Sequence, residues 1–351
     1  MSSNDNDNDR YSGNGYGEMV SSKKECTSCE QNNVDSITES IDSVAVLDST
    51  TLSMCAACGK EGNSDDMNTC NKCKMVKYCN AACKKKHRTK HKKKCDRRVA
   101  ELHEEALFKE PPPREECPIC LLTLPLDTDK SQFQTCCGKI ICHGCIHAML
   151  MSDGKDLLCA FCRMTNIKTD QDDINRLKEL MNKGNANAFN YFGRLYDDGE
   201  CGLPLDHQKA CELYLKAGDL GCAGGYYNLG CAYRDGRGLA RDVNKAKYYL
   251  ELAAMLGDIR ARHNLGGIEA EAGNVDRTMK HWMIAAKAGS ERSLKNIKLG
   301  FRDGFIAKDG YESALRAYHE RQDEMKSDER DTAKEKRGML LANLRSIRRG
   351  M

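Results

Sequence analysis

Aromatic residues are scarce in this chain, at 6% of 351 residues with a single Trp, and only six prolines are present. Charged residues make up 30%. That balance excludes one large hydrophobic core, and two or three smaller modules are expected instead. No apolar run approaches the length of a membrane span. The opening stretch MSSNDNDNDRYSGNGYGE lacks a basic start followed by an apolar segment, so no secretory signal is expected. No phosphate loop, nucleophile–base arrangement or open metal site can be read anywhere. The missing span and secretory signal lead us to expect an intracellular setting, cytoplasmic or nuclear, where thiols stay reduced. Lys and Arg (55) nearly balance Asp and Glu (52), so nucleic acid binding is expected to be weak at most and salt-sensitive.

Cysteine is what the chain has in excess, with 21 residues. In a reducing compartment such a number implies metal ligands rather than disulfides. Fifteen of them lie between Cys55 and Cys162 in repeated short spacings. Cys26 and Cys29 form an isolated pair within residues 1–50, an Asn-, Asp-, Ser- and Gly-rich stretch without periodicity that is expected to be a disordered tail. Cys201, Cys211, Cys222 and Cys231 stand singly in helical patterns and are expected as small buried apolar side chains.

The first block, residues 55–95, supplies Cys55, Cys58, Cys70, Cys73, Cys79, Cys83, His91 and Cys95. They form four pairs, two spaced C-x-x-C, one C-x-x-x-C and one H-x-x-x-C. A C-x-x-C loop lets two thiolates reach one tetrahedral zinc. The pairs spaced by four share one helix face. Eight ligands make two closed sites, which are structural rather than catalytic, and the metal supplies the folding energy that so short a block lacks. The order and spacing of all eight resemble the MYND zinc finger. The resemblance implies interleaved sites, with Cys55, Cys58, Cys79 and Cys83 on one zinc and Cys70, Cys73, His91 and Cys95 on the other. His87, one turn before His91, is an alternative ligand off the spacing. The resemblance also implies a groove for proline-containing peptides. Lys84 and Arg88 stand where the family often has Gln and Trp, so a groove lined by these cations is expected to prefer an acidic partner. The basic run from Lys84 to Lys94 is read chiefly as charge balance for the zinc–thiolate sites and a solvated face.

Residues 96–113 are expected to be a charged helical linker, with Val99, Leu102, Ala106 and Leu107 at helical spacing, ended by Pro111, Pro112 and Pro113. The second block, residues 117–163, offers Cys117, Cys120, Cys136, Cys137, Cys142, Cys145, Cys159 and Cys162. It resembles the RING finger in a variant with cysteine at the usual central histidine. The resemblance implies one site from Cys117, Cys120, Cys142 and Cys145 and another from Cys136, Cys137, Cys159 and Cys162. The adjacent pair Cys136–Cys137 is the tight point, with His143 or His147 as substitutes. Four zinc ions are therefore expected in all. The resemblance further implies a ubiquitin-conjugating enzyme as partner, contacted by Ile119 between the first two ligands and by Arg163 after the last. Ala160 stands where many active members have Pro, and His147–Ala148–Met149 offers no aromatic.

Beyond residue 170 the chain becomes repetitive. YFGRLYDDGE, NLGCAYRDGRG and NLGGIEAEAG place Gly193, Gly230 and Gly266 in register, each followed by a second helical pattern closed by Gly221, Gly257 or Gly289. The third copy lacks four residues between its helices. A two-helix repeat of this length is an α-solenoid. Tyr214, Leu250 and Trp282 fall at matching positions and are expected in its core. The pattern resembles Sel-one-like repeats, relatives of the tetratricopeptide repeat, over residues 184–325 with a degraded fourth copy. Such repeats imply a concave face for protein partners. Residues 326–351 are expected to form a basic amphipathic helix with Leu340, Leu341, Leu344 and Ile347 on one side.

The expected fold class is thus two small zinc-stabilised α+β modules followed by an all-α helical-repeat solenoid. The combination resembles multidomain proteins of algal genomes. Two functions remain open. One is a zinc-binding interaction scaffold acting as a RING-type ubiquitin ligase, with substrate chosen by the repeats. The other is a non-enzymatic adaptor in transcription, chromatin or complex assembly. A lysine methyltransferase is disfavoured because no cofactor-binding domain flanks the finger.

Overall fold

The computed structural model describes residues 52–127, 130–152, 158–159, 161–165 and 169–336. Cys26 and Cys29, the tail 1–50, Ala160 and the C-terminal apolar set from Leu340 to Ile347 lie outside the described residues. Two compact units emerge: one runs to Cys70 and resumes over Val76–His87, and the other comprises Asn71–Met75 and everything from Arg88 onward.

The first unit is built from short antiparallel hairpins. Strand β1 (Leu52–Met54) pairs with β2 (Glu61–Asn63), and β3 (Asn68–Thr69) with β4 (Lys77–Tyr78). Strands of two or three residues cannot hold a sheet alone, so the cysteine loops at their tips must supply the cohesion. Tyr78 is buried, and its ring meets that of His87 edge-on. Helix α1 (Ala81–Leu107) begins here.

Helix α1 runs 27 residues without a break. The basic stretch and the apolar-spaced stretch 96–107 are therefore one helix; nothing between them is a helix breaker, and Val99 is exposed on it. Arg97 and Arg98 pair with Glu101 one turn on, and Arg98 also reaches Glu105, supporting an otherwise exposed helix.

In the second unit, β5 (Ser131–Gln134) and β6 (Lys139–Cys142) form a hairpin leading into α2 (His143–Ser152). The solenoid follows as helices α3 (Asp170–Asn182), α4 (Ala186–Asp198), α5 (His207–Asp219), α6 (Ala223–Asp235), α7 (Val243–Met255), α8 (Ile259–Glu271), α9 (Val275–Lys287), α10 (Glu291–Arg302) and α11 (Lys308–Glu324). Asn185, Asp206, Asp242, Asp258 and Ser290 cap their helices by accepting a backbone N–H three residues on. Gly221, Gly257 and Gly289 take the left-handed conformation just past α5, α7 and α9, with φ of 91°, 96° and 99°.

The repeated glycines have a repeated task. A Cβ on Gly193 would come within 2.7 Å of the Tyr214 ring, and one on Gly230 within 2.8 Å of Leu250 Cγ; Gly266 lies tighter still against Trp282. Each glycine thus lets the two helices of its repeat close on the large side chain of the second. Tyr214 and Leu250 are buried, while Trp282 packs half-buried and donates its ring N–H to the His263 carbonyl. The α8–α9 connection, residues 272–274, is four residues shorter than residues 236–242 between α6 and α7. Cys211 and Cys231 are buried as expected of core thiols, whereas Cys201 and Cys222 are only half-buried, and Cys222 contacts Asn187.

The C-terminal end of α1 is seated on this solenoid. Leu107 is fully buried among residues of α6, α7 and α8, and the Arg262 guanidinium donates to its carbonyl. Arg277 of α9 joins Glu104 of α1, Glu269 of α8 and Glu251 of α7. Glu269 is fully buried. Burial pushes its carboxyl up, but donors from Lys247, Arg277 and Asn274 outweigh that and hold it at about 2.

Candidate metal centres

Four of the C-x-x-C loops share one backbone, whereas the fifth, Cys142–Cys145, leads into α2. Cys55–Cys58 sits at the tip of β1–β2 and Cys70–Cys73 at the tip of β3–β4. Cys117–Cys120 is closed by the bridge Glu116–Thr123, and Cys159–Cys162 by Leu158–Thr165. In these four the residue after the second cysteine is left-handed: Gly59 at φ 72°, Lys74 at 54°, Leu121 at 57° and Arg163 at 59°. In three of the loops this residue donates its N–H to the first cysteine's carbonyl: Gly59 to Cys55, Leu121 to Cys117 and Arg163 to Cys159, at 2.8, 2.9 and 3.0 Å. Such tight turns aim both thiols and several backbone N–H groups at one point.

Sixteen side chains converge in four sets: Cys55, Cys58, Cys79 and Cys83; Cys70, Cys73, His91 and Cys95; Cys117, Cys120, Cys142 and Cys145; Cys136, Cys137, Cys159 and Cys162. Within each set the donor atoms all lie within 4.8 Å of one another. Closest sulfur–sulfur separations are 3.5 Å for Cys79–Cys83, 3.8 Å for both Cys117–Cys145 and Cys120–Cys142, and 3.4 Å for Cys136–Cys162. A disulfide would need about 2.05 Å. A zinc tetrahedron with bonds of about 2.3 Å has edges of about 3.8 Å. Cys73 Sγ lies 3.2 Å from His91 Nε2. Donor type, number and spacing therefore fit zinc, and each set is capable of binding one ion.

The thiols' acidities show why a cation belongs there. Backbone N–H groups, that of Cys79 foremost, lower Cys55 to about 6. Burial pushes Cys117 up, but N–H donors from Cys120, Cys142 and Ile119 prevail and leave it at about 7. Their neighbours go the other way. Hydrogen bonding to Cys79, with burial, raises Cys83 to about 12, and burial raises Cys137 to about 11. Lowered and raised thiols thus stand side by side, Cys55 with Cys83 and Cys117 with Cys145, an arrangement relieved by a divalent ion.

His87, His143 and His147 fall outside the four sets. His87 instead contacts the Tyr78 hydroxyl through Nδ1 at 3.3 Å. Lys84 is half-buried and Arg88 exposed, one turn apart on α1. Ile119 is 39% exposed. Arg163, fixed by its turn, directs Nη1 to Met149 Sδ of α2 at 3.8 Å. Exposed apolar side chains recur over this second block, namely Leu121, Leu150, Met151, Phe161 and Met164.

Sequence spacing did not reveal what α4, α6 and α8 carry on their shared face. Leu126, just beyond the Cys117–Cys120 loop, packs on Ile259 and Ala288, and Pro112 rests on Gly257. Beside them open clefts of about 800 and 590 Å³. Asn190 and Asn228 join neighbouring helices at 2.9 Å within the smaller one.

Residues 55–95 match the MYND finger family, and residues 188–222 and 223–258 each match the Sel1 repeat. A curated Arabidopsis thaliana protein, ERAD-associated E3 ubiquitin-protein ligase component HRD3B, is 31% identical over 113 residues. That match spans 32% of this chain and 18% of the relative. A Sel1 repeat protein from Oxalobacter formigenes aligns with TM-score 0.38 and 21% identity over 51% of this chain and 68% of its own. Immunity protein Pa5087 from Pseudomonas aeruginosa gives 0.32 and 23% over 45% and 60%. The chain thus combines a cysteine-rich zinc-binding region, with a MYND finger, and a Sel1-repeat solenoid. Together these modules support a zinc-binding protein-interaction scaffold. Among the described residues no helix is long and apolar enough to cross a membrane.

Proposed function

We propose that the four convergent sets each hold a structural zinc, and that residues 117–163 form a RING-type module with ubiquitin ligase activity toward proteins selected by the solenoid. In this reading Ile119 docks a ubiquitin-conjugating enzyme, and Arg163 hydrogen-bonds both enzyme and ubiquitin in the closed, reactive arrangement. A planar guanidinium suits that role because it donates several hydrogen bonds in fixed directions. No side chain of the module performs chemistry; the acceleration comes from positioning a thioester already made.

The observation that carries the reading is the second block's surface. Its interior is a small cluster of cysteines with Leu124 and Ile141, yet Ile119, Phe161, Leu150 and Met151 stand 39%, 44%, 42% and 61% exposed. Apolar residues concentrated at that level on so small a module serve contact with a partner. Arg163, in a left-handed turn, reaches Met149 on the helix that carries Leu150 and Met151. The Arabidopsis relative, named as a component of a ubiquitin ligase, supports the same reading from the repeat side. Residues Lys84 and Arg88 are proposed as a second, acidic-partner contact on the MYND finger.

The test is discharge of ubiquitin-charged conjugating enzymes by the purified chain, run across a panel of such enzymes. Discharge above the free-lysine background supports the ligase. No discharge with any member leaves the non-enzymatic adaptor as the function.

A further inference from the structure

Arg330 lies 210 residues beyond Cys120, in the helical stretch 328–336 that follows α11. Its guanidinium nevertheless reaches into the Cys117–Cys120 loop. Nη2 donates to Cys120 Sγ at 3.5 Å and to the Leu122 carbonyl at 3.2 Å. Nη1 donates to the Thr123 carbonyl at 2.8 Å and back to the Met325 carbonyl at 2.9 Å. Gly144, next to the Cys142–Cys145 turn, leaves room for this approach, since a Cβ there would fall within 2.9 Å of the Arg330 backbone nitrogen. Arg114 adds a second tie, donating to the Leu124 carbonyl and to Met325 Sδ.

The electrostatics give the contact a purpose. Four thiolates around one divalent ion carry a net charge of about −2, and a half-buried site cannot rely on water to spread it. A hydrogen-bond donor on a ligating sulfur draws off part of that charge and fixes the ligand's direction. Around Cys117, Cys120, Cys142 and Cys145 the loop's own N–H groups supply some donors. Arg330 supplies a full positive charge, and it comes from the far end of the solenoid.

We propose that Arg330 is an outer-shell partner of this metal site, completing it from the solenoid's C-terminal extension, so that metal retention in the second block depends on the solenoid being folded and docked. The proposal rests on zinc occupancy of the Cys117, Cys120, Cys142 and Cys145 set and is independent of ligase activity. Arg330 positions and neutralises a ligand; it is not itself a ligand.

The experiment compares Arg330→Gln and Arg330→Lys with wild type in the full chain. Both keep a polar head, Lys at nearly the length of Arg and Gln shorter and uncharged, and circular dichroism checks that the solenoid stays helical. Zinc release to a chromogenic chelator is followed over time. The Gln variant should lose one of four ions about tenfold faster or more, the usual scale for removing an outer-shell partner. The Lys variant, which keeps the charge without the fork, should fall between Gln and wild type. With cadmium in place of zinc, the metal's magnetic resonance should show one all-sulfur site shifted in the Gln variant and the other three sites unmoved. Equal release from Gln and Lys variants would remove the charge argument. Unchanged release with an unchanged spectrum, or equal acceleration at all four sites, would overturn the proposal outright.

Discussion

The ring of Phe108 lies 4.6 Å from that of His281, closing the end of α1 onto the solenoid. Arg277 and Lys280 flank the same aromatic ring at 5.2 and 5.4 Å. One side chain therefore combines apolar burial with two cation–π contacts. Phe108→Ala should destabilise the second unit by about 2–3 kcal/mol, below a full core deletion because the ring is only half-buried. Thermal unfolding of the full chain measures it, and a loss under about 0.5 kcal/mol would show that the segment docks without consequence.

His281 itself makes a pH prediction. It is fully buried with both ring nitrogens unpartnered among the described residues. Burial lowers it to about 3, and the nearby Arg262, Arg277 and Lys247 push the same way against Glu269. The unfolded chain binds the proton near the ordinary value of 6.5 and the folded chain does not. Stability contributed by the neutral imidazole is therefore complete above about pH 6.5 and falls as pH drops toward 3, by about 1.4 kcal/mol per unit. His281→Leu should flatten that slope between pH 6.5 and 5, where the difference between the two proteins isolates the imidazole from proton competition at the thiolates. Parallel curves would refute the assignment.

Gly230 tests the repeat packing. A Cβ there meets Leu250 Cγ at 2.8 Å and the Ala246 backbone carbonyl at 3.2 Å. Gly230→Ala should destabilise by about 1–3 kcal/mol despite the better helix propensity of alanine. Adding Leu250→Ala should recover part of that loss, so the double variant should be more stable than the sum of the singles predicts. Strict additivity in denaturant unfolding would mean that the two helices do not compete for this space.

Legibility followed the range of the interactions. Cysteine spacing and the Gly193, Gly230 and Gly266 register are local or periodic, so the ligand pairs and the helix pairs could be read directly, while the joining of distant pairs into sets came from the family resemblance. The left-handed residue after four of the C-x-x-C pairs was signalled only at Gly59; Lys74, Leu121 and Arg163 occupy the same conformation without a glycine to mark it. Helix α3 went unread although Ile174, Leu177 and Leu180 have helical spacing, because the acidic residues around them hide the apolar face that packs on α4. Arg262, Arg330 and Leu126 act across 155 residues or more, or between modules, and no local pattern foretells a partner that far away.

Metal content should be four zinc ions per chain by elemental analysis of protein purified without chelator. Cys137→Ser should lose one ion and destabilise the second block, because Cys137 lies 4.0 Å from Cys159 in a set with no spare thiol. Exhaustive chelation should abolish the hairpins while the solenoid keeps its helical signal. A stoichiometry of two or fewer would remove one block from the zinc account.

Arg163 separates backbone from side-chain function. At φ 59° it occupies a conformation that costs a non-glycine residue about 1 kcal/mol and glycine almost nothing. Arg163→Gly should therefore keep the turn, the Arg163–Cys159 backbone bond and full zinc content, with stability unchanged or slightly raised. It removes only the guanidinium. Under the ligase reading, Arg163→Gly should bind a conjugating enzyme as wild type does and discharge ubiquitin at least tenfold more slowly, since the lost hydrogen bonds act on the closed arrangement and not on docking. Ile119→Ala should do the reverse, weakening binding by removing apolar contact from a small interface while leaving discharge at saturation close to wild type. Titrating the conjugating enzyme in a single-turnover discharge assay reads both quantities at once. If Arg163→Gly discharges as fast as wild type, the guanidinium serves only its contact with Met149 and has no part in ubiquitin transfer.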